Sequence, residues 1–202
     1  MLGCAVIPPL PELSMSLIQY LHDSADLIRL AATPETAAQV DAAIGRIAAA
    51  LKDDRPLLVC GNGGSAADAM HIAGELVGRF LKERRALNCI ALGADPAVAT
   101  AWSNDYDYAS LFARQVQAYG RDGGVLLGIS TSGNSANVLQ AAEAARAKGM
   151  AVIGLTGQGG GRLGPLCDIL IAAPSRHTPQ IQQIHGCLYH YICEQVEARL
   201  AG

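Results

Sequence analysis

The chain has 202 residues, of which 50% are hydrophobic, 16% charged and 4% aromatic, and its formal net charge is −3. This length predicts one domain with a sizeable core. Acidic and basic residues are mixed, so we expect no direct nucleic-acid partner, and no apolar run reaches the roughly 18 residues of a membrane span. The six cysteines form no CxxC pair, and we expect them to be reduced in a cytoplasmic protein.

Residues 1–14 are predicted to form a flexible N-terminal tail, because they contain two consecutive prolines and lack the basic start of a signal peptide. A helical segment, 15–53, follows. Its second helix is predicted to begin at Thr33 as N-cap, with Pro34 at the first helical position. Two long helices before the first strand exceed what a sheet layer needs. We therefore expect their apolar faces to pack against a partner subunit; the alternative is a helical cap on the chain's own sheet.

From residue 56 onward, strand and helix patterns alternate. Strands are predicted near 56–60, 87–92, 124–129, 151–156 and 168–172, and helices near 64–80, 96–103, 108–119, 134–149 and 179–200. Apolar strands that alternate with helices indicate a parallel, doubly wound α/β sheet. Residues 15–202 are therefore predicted to form a single domain that includes the N-terminal helical segment.

Two predicted strand-to-helix turns have the composition of phosphate-binding loops. Residues 126–138, LLGISTSGNSANV, predict a buried strand, a hydroxyl-rich loop around Gly133 and the start of a helix, whose N–H groups can hold a phosphate. The loop lacks the GxxxxGK[ST] pattern, which favours a small phosphorylated metabolite over a nucleoside triphosphate. A glycine turn at 61–65, GNGGS, follows the first strand. Either turn alone could be an ordinary connection, but both fit one crevice at the sheet edge.

Further polar residues are candidates for chemistry. His71 and Glu75 are four residues apart on a predicted helix, so they share a face and could bind a metal or act as acid and base, although a solvated surface pair has the same spacing. Gln182 and His190 share the last helix. They are roughly 12 Å apart along it, which is long for two ligands of one ion. Either these side chains lean together or they serve different sites.

Four segments match one known family in order and spacing: 60–80 (CGNGGSAADAMHIAGELVGRF), 104–105 (ND), 129–138 (ISTSGNSANV) and 181–190 (IQQIHGCLYH). By these segments the chain resembles the SIS (sugar isomerase) family, and most closely its phosphoheptose isomerases. The resemblance implies a flavodoxin-like, five-stranded parallel sheet flanked by helices, and a homotetramer assembled through the N-terminal helices. The implied reaction interconverts sedoheptulose 7-phosphate and D-glycero-D-manno-heptose 7-phosphate through an enediol(ate), as the first step of activated-heptose biosynthesis.

The resemblance also implies roles for individual residues. Glu75 would be the catalytic base and His190 its acid–base partner, and one zinc ion per subunit would be held by His71, Glu75, Gln182 and His190. The implied substrate contacts are Asn62, Gly63, Gly64, Ser65, Glu75, Asn104, Asp105, Ser130, Thr131, Ser132, Ser135 and Gln182. Amide and carboxylate side chains at 104–105 suit sugar hydroxyls, although a turn favours the same residue types.

The chain departs from the family pattern at the rim of the implied sugar site. Gly74, Pro179, Gln180 and Gln183 stand where family members usually have glutamate, aspartate, arginine and glutamate. One alternative function is that of a non-catalytic SIS protein that binds the bacterial replication initiator; another is a sugar-phosphate sensing module. The initiator-binding relative lacks a carboxylate at the position of Glu75 and has an arginine within the STSGNS segment.

Overall fold

Strands and helices alternate from residue 57 onward, close to the predicted positions. The computed structural model describes residues 15–201, so the predicted tail, 1–14, lies outside the described residues. The elements are α1 (Leu17–Ala31), α2 (Pro34–Lys52), β1 (Leu57–Cys60), α3 (Gly64–Val77), β2 (Cys89–Ala91), α4 (Pro96–Asp105), α5 (Leu111–Tyr119), β3 (Val125–Ser130), α6 (Ala136–Ala147), β4 (Ala151–Thr156), a 3₁₀ turn (Gly164–Leu166), β5 (Ile169–Ala172) and α7 (Thr178–Leu200).

The five strands form one parallel sheet in the order β2-β1-β3-β4-β5. Strand β1 pairs with both β2 and β3, so the chain changes direction across the sheet between β1 and β3. A crevice forms at such a switch point, outside the C-terminal ends of the strands. This flavodoxin-like arrangement confirms the predicted fold class, and it places the two glycine-containing loops side by side.

Both faces of the sheet are buried, which explains the continuous apolar runs of the strands. Leu57 and Val59 face a core that α2, α3 and α7 cover. Leu58 and Cys60 face the opposite core, which α5 and α6 cover. Successive side chains of a strand point to opposite faces of the sheet, so the four residues of β1 contribute to both cores.

Two helix starts follow the predicted capping chemistry. The Thr33 hydroxyl accepts the N–H of Thr36 at 3.1 Å, and Pro34 occupies the first position of α2. At α4, the Asp95 carboxylate accepts the N–H of Ala97 at 2.8 Å. Each side chain satisfies an N–H that the helix itself leaves free, which is typically worth about 1 kcal/mol.

The two N-terminal helices differ in what they bury. Helix α2 packs its apolar face, including Ile44 and Leu51, onto the chain's own sheet. The expectation that this face packs against a partner subunit is therefore wrong for α2, which instead forms a helical cap on its own sheet. Helix α1 instead exposes Leu17, at 72% of its surface, and Ile18, at 70%. Among the helices of residues 15–201, none combines the length and the apolar character that crossing a membrane requires.

Candidate active site

Three helices begin around the loop that follows β3. Gly63 opens α3 with φ +56°, a conformation that favours glycine. Across the loop, the hydroxyls of Ser130 and Ser135 lie 3.0 Å apart, and Ser135 precedes α6. The Thr131 hydroxyl lies 3.4 Å from that of Thr178, the first residue of α7. The N-terminal ends of α3, α6 and α7 therefore all direct positive potential toward one crevice, as an anion site requires.

An amide pair joins the two loops. Asn62 Nδ2 donates to Asn137 Oδ1, and Asn137 Nδ2 donates to Asn62 Oδ1, both at 2.8 Å. The Tyr108 hydroxyl donates to the same Asn62 oxygen at 2.7 Å. Sequence reasoning missed Asn137 and Tyr108, because their partner lies 75 and 46 positions away and no local pattern marks the contact.

Close backbone approaches shape this crevice. The Gln182 amide rests against Gly64 so tightly that a Cβ there would overlap its nitrogen. Gly133, with φ +65°, lies against the carbonyl oxygen of Gly160, where a Cβ would also overlap. Residues 61–65 and 130–135, together with Gln182, are called the loop end of the site below.

The predicted substrate contacts of the loop end are not equally accessible. Ser132 is exposed, and its hydroxyl accepts the N–H of Asn134 at 3.1 Å. Ser65 is buried beneath the glycine turn, at 4% exposure. Its side chain therefore supports the turn, while its backbone N–H bonds the Asn62 carbonyl at 3.0 Å.

Asn104 and Asp105 lie beside the loop end. They form the last two residues of α4, which runs two residues beyond its predicted end. Both side chains are exposed, and Asn104 Nδ2 donates to Asp105 Oδ1 at 2.9 Å. The segment that follows carries Tyr108 to Asn62, so the pair precedes a residue that contacts the loop end.

A second polar group forms further along α3 and α7. His71 Nε2 lies 3.0 Å from Glu75 Oε1, and the rings of His71 and His190 meet edge to face with 4.9 Å between centroids. His190 Nδ1 lies 2.6 Å from the Gly186 carbonyl. Since a carbonyl only accepts, Nδ1 carries the hydrogen and Nε2 of neutral His190 keeps a lone pair. The Glu75 carboxylate and the His190 ring thus both lie beside His71.

Two residues that sequence reasoning missed support this group. The Tyr189 hydroxyl lies 3.2 Å from His71 Nδ1. Asp68 lies one turn before His71, and its Oδ2 is buried with no hydrogen-bond partner among residues 15–201. Burial raises the pKa of Asp68, against the opposing effects of the Tyr189 hydroxyl and of charge on His71 and His190. Burial and the Asp68 charge raise the pKa of Tyr189, so its phenol stays protonated. His71, Glu75 and His190, with Asp68 and Tyr189, are called the helix end below.

A buried ion pair ends α3 earlier than predicted. Glu197 accepts the backbone N–H groups of residues 80–82 at 2.7–2.9 Å and lies 3.3 Å from the Arg84 guanidinium. Arg84 also donates to the Glu75 carbonyl at 2.7 Å. Burial would raise the pKa of Glu197, but these N–H groups and Arg84 hold it below its usual value. The helix ends at Val77, and the hydrogen bond from Arg84 to the Glu75 carbonyl holds the backbone of the last helical turn in place.

Of the four predicted metal ligands, the structure groups three. His71 lies beside both Glu75 and His190, whereas Gln182 lies at the loop end against Gly64. Two imidazoles and a carboxylate are donor types that suit zinc. In residues 15–201 of a single chain, however, no three His, Cys, Asp or Glu side chains are close enough to hold one ion.

The chain belongs to the SIS domain family, whose sequence model matches residues 19–157. A phosphoheptose isomerase of Crocosphaera subtropica is 49% identical over 181 residues, which cover 90% of this chain and 92% of that protein. The structures of two phosphoheptose isomerases each cover 89% of this chain and 95% of their own. That from Neisseria gonorrhoeae has 39% identity and a TM-score of 0.80, and that from Francisella tularensis has 36% and 0.82.

Proposed function

We propose that this chain is a phosphoheptose isomerase, which interconverts sedoheptulose 7-phosphate and D-glycero-D-manno-heptose 7-phosphate as the first step of activated-heptose biosynthesis. Relatives of that name align with most of the chain. The observation that carries the proposal is the pairing of two groups: an anion cradle at three helix N-termini and a carboxylate beside an imidazole. The first suits a phosphate and the second suits proton transfer.

The helix end supplies the groups that the reaction needs. Aldose–ketose isomerisation moves a proton between C1 and C2 through an enediol(ate). Glu75 accepts the carbon-bound proton, because it is a carboxylate beside His71 and its side chain is partly exposed, so a substrate can reach it. Without a metal, His190 can exchange a proton with the neighbouring substrate oxygen through Nε2, since Nδ1 is bound to the Gly186 carbonyl; a metal ligated by His190 would occupy the same nitrogen.

The loop end binds the remote part of the substrate. The hydroxyls of Ser130, Thr131, Ser132 and Ser135, with nearby backbone N–H groups, bind the phosphate. Asn62, Gly63, Gly64, Asn104 and Asp105 contact the sugar. This remote binding energy orients C1 and C2 against the base, which is how such enzymes use a non-reacting phosphate.

Turnover of sedoheptulose 7-phosphate tests the activity directly. Purified protein is incubated with this ketose, and formation of the aldose is followed by carbon-13 NMR. We expect conversion by the wild type and none by Glu75→Gln. Absence of conversion by folded, metal-supplied wild-type protein would overturn the proposed activity.

We further propose one zinc ion per subunit, held by His71, Glu75, His190 and Gln182. When bound, the ion would polarise the substrate carbonyl and stabilise charge on its oxygen. Metal analysis of wild-type and His71→Ala proteins tests the site. We expect zinc in the first and a loss in the second; full activity of a metal-free sample would make the ion incidental.

The proposed zinc site needs a second chain, which supports a homotetramer. Gln182 and His190 lie roughly 12 Å apart along α7. In the described chain the first lies against Gly64 and the second beside His71, so their side chains do not converge on one ion. Gln182 of a neighbouring subunit therefore completes the site, and the exposed apolar residues of α1 supply an assembly surface.

Subunit exchange between inactive variants tests this arrangement. Glu75→Gln mixed with Gln182→Ala should recover part of the activity, because hybrid sites combine an intact Glu75 with an intact Gln182. Glu75→Gln mixed with His190→Ala should recover none, because both residues act from one chain. Recovery in the second mixture, or in neither despite proven exchange, would contradict the shared site.

The alternative of an initiator-binding protein is not favoured. This chain has a carboxylate at Glu75 and an uninterrupted STSGNS segment, and its relatives carry an enzyme's name. A cytoplasmic location completes the proposal. It is supported by the five cysteines of the described residues, all of which are unpaired.

A further inference from the structure

Tyr189 lies near both His71 and Asp68, and the proposed reaction assigns no role to Tyr189 or Asp68. Its hydroxyl is 3.2 Å from His71 Nδ1, its ring meets His71 edge to face at 5.4 Å, and only 6% of the residue is exposed. Asp68 is close enough for the two groups to alter each other's pKa. Both ring nitrogens of His71 are therefore engaged, Nδ1 by Tyr189 and Nε2 by Glu75.

These contacts define one arrangement of hydrogens in the metal-free chain. Neutral imidazole carries a single N–H, and an ionised carboxylate only accepts. At 3.0 Å from Glu75, His71 Nε2 is therefore the donor, and Nδ1 accepts the hydrogen of the Tyr189 hydroxyl. In this arrangement the Tyr189 hydrogen is directed to His71, and Asp68 Oδ2 has no hydrogen-bond partner of good geometry among residues 15–201.

A cation at His71 Nε2 requires the other arrangement. Nε2 must then offer its lone pair, so the ring hydrogen moves to Nδ1 and is donated to the Tyr189 oxygen. A phenol can accept one hydrogen bond and donate another, so Tyr189 turns its own hydrogen to a different acceptor. Asp68, a half-buried residue near Tyr189, has in Oδ2 a buried atom that lacks a donor among residues 15–201.

We propose that Tyr189 and Asp68 are positioning residues that allow His71 to switch tautomer, with Tyr189 accepting from Nδ1 and donating to Asp68 when Nε2 binds a metal. This inference rests on the zinc site of the proposed function. It assigns a role to a half-buried carboxylate and a buried tyrosine that the proposed isomerisation does not otherwise use. Partners of this kind fix the orientation of a ligand histidine and raise its basicity.

We call the hydrogen-bond chain from His71 through Tyr189 to Asp68 the relay. Zinc titration tests the relay without any turnover measurement. Competition with a chelator gives the affinity of each variant for zinc alone, and nitrogen-15 NMR of the His71 ring gives its tautomer. We expect wild-type His71 to change from the Nε2–H to the Nδ1–H form on zinc binding. Tyr189→Phe should weaken zinc binding about 10- to 100-fold, as the loss of such a partner typically does.

Asp68 variants separate a relay from independent effects. Asp68→Ala should weaken zinc binding, and Asp68→Asn should recover part of it, because its carbonyl can still accept from Tyr189. The double variant Tyr189→Phe/Asp68→Ala should be no weaker than Tyr189→Phe alone, since Asp68 acts through Tyr189. Tyr191→Phe, on the same helix but 47% exposed, is the matched control and should bind zinc as the wild type does.

The outcomes distinguish the relay from the function on which it rests. Wild-type zinc affinity in Tyr189→Phe, or fully additive losses in the double variant, would overturn the relay and leave the zinc site and the isomerase intact. A wild-type protein that takes up no zinc would overturn both the zinc site and the relay, while turnover of sedoheptulose 7-phosphate would still decide the isomerase activity separately.

Discussion

The loop end and the helix end of the site are built in different ways. At the loop end, short-range contacts such as that between Ser130 and Ser135 are combined with contacts between loops, such as that between Asn62 and Asn137. At the helix end, the contact between Tyr189 and His71 spans 118 positions and depends on how α3 packs against α7. The first therefore depends on glycine-containing loops held against one another, and the second on the packing of two helices.

This difference separates binding from chemistry. Loops at helix N-termini offer fixed N–H groups for an anion. Proton transfer needs a carboxylate and an imidazole at defined distances, which rigid helices on a packed core provide. Mutations of the loop hydroxyls should therefore act mainly on KM, and mutations at the helix end mainly on kcat.

The largest effect is expected for Glu75→Gln. The side chain keeps its shape but loses its ability to take a proton, so kcat should fall about 10²- to 10⁴-fold while KM changes little. Steady-state kinetics with sedoheptulose 7-phosphate measure both values. Thermal unfolding and sedimentation serve as controls for the fold and the assembly. A wild-type kcat would remove Glu75 from the mechanism.

The pH dependence of the free energy of unfolding tests the buried contact of His185, which attaches α7 to the end of β4. His185 lies on α7 between Gln182 and His190, and its Nε2 donates to the Thr156 carbonyl at the end of β4 at 3.0 Å. Burial lowers its pKa to about 4 from 6.5. As pH falls from 6.5 to 4, the unfolded chain binds a proton that the folded chain does not, so the free energy of unfolding should decrease by about 3 kcal/mol.

Urea unfolding at several pH values measures this loss. His185→Gln keeps a donor for Thr156 but cannot titrate, so its stability should decline less steeply over the same window. Parallel curves for the two proteins would show that His185 titrates normally or that other groups dominate.

Ser132→Ala should act on binding alone. An exposed hydroxyl that hydrogen-bonds a charged phosphate contributes about 1.5–3 kcal/mol, so KM should rise about 10- to 100-fold with kcat nearly unchanged. Ser24→Ala on α1, whose hydroxyl bonds the carbonyl of Tyr20, is a matched control. An unchanged KM would place the phosphate elsewhere.

Tyr108→Phe should produce the smallest effect. It removes one neutral hydrogen bond to Asn62, worth about 1 kcal/mol, so KM should rise a few-fold. Tyr106→Phe, which alters an exposed tyrosine stacked on Trp102, should leave KM unchanged. A large fall in kcat for Tyr108→Phe would mean that the two ends are not independent.

Sequence patterns predicted the sheet and the positions of the two strand-to-helix loops because both are marked by neighbours along the chain. Every strand was located within two residues at each end, since burial on both faces requires an apolar run. The early end of α3 could not be predicted, because Glu197, about 120 positions away, fixes the following segment. Asp68 and Tyr189 were missed for the same reason. The spacing of Gln182 and His190 left open whether they lean together or serve different sites; in the structure Gln182 lies against Gly64 and His190 beside His71.

The contact between Gly133 and Gly160 has a consequence for redesign. A Cβ on Gly133 would overlap the Gly160 carbonyl, and a Cβ on Gly161 would overlap the Ser132 carbonyl, so each loop fills the space beside a glycine of the other. The N–H of Leu163 also donates to the Gly133 carbonyl at 2.9 Å. The two segments are thus interlocked, although nearly thirty positions separate them in the chain. If residues 130–135 were transplanted from this protein into another sheet, the loop would keep its shape only if residues 157–163 were transplanted with it.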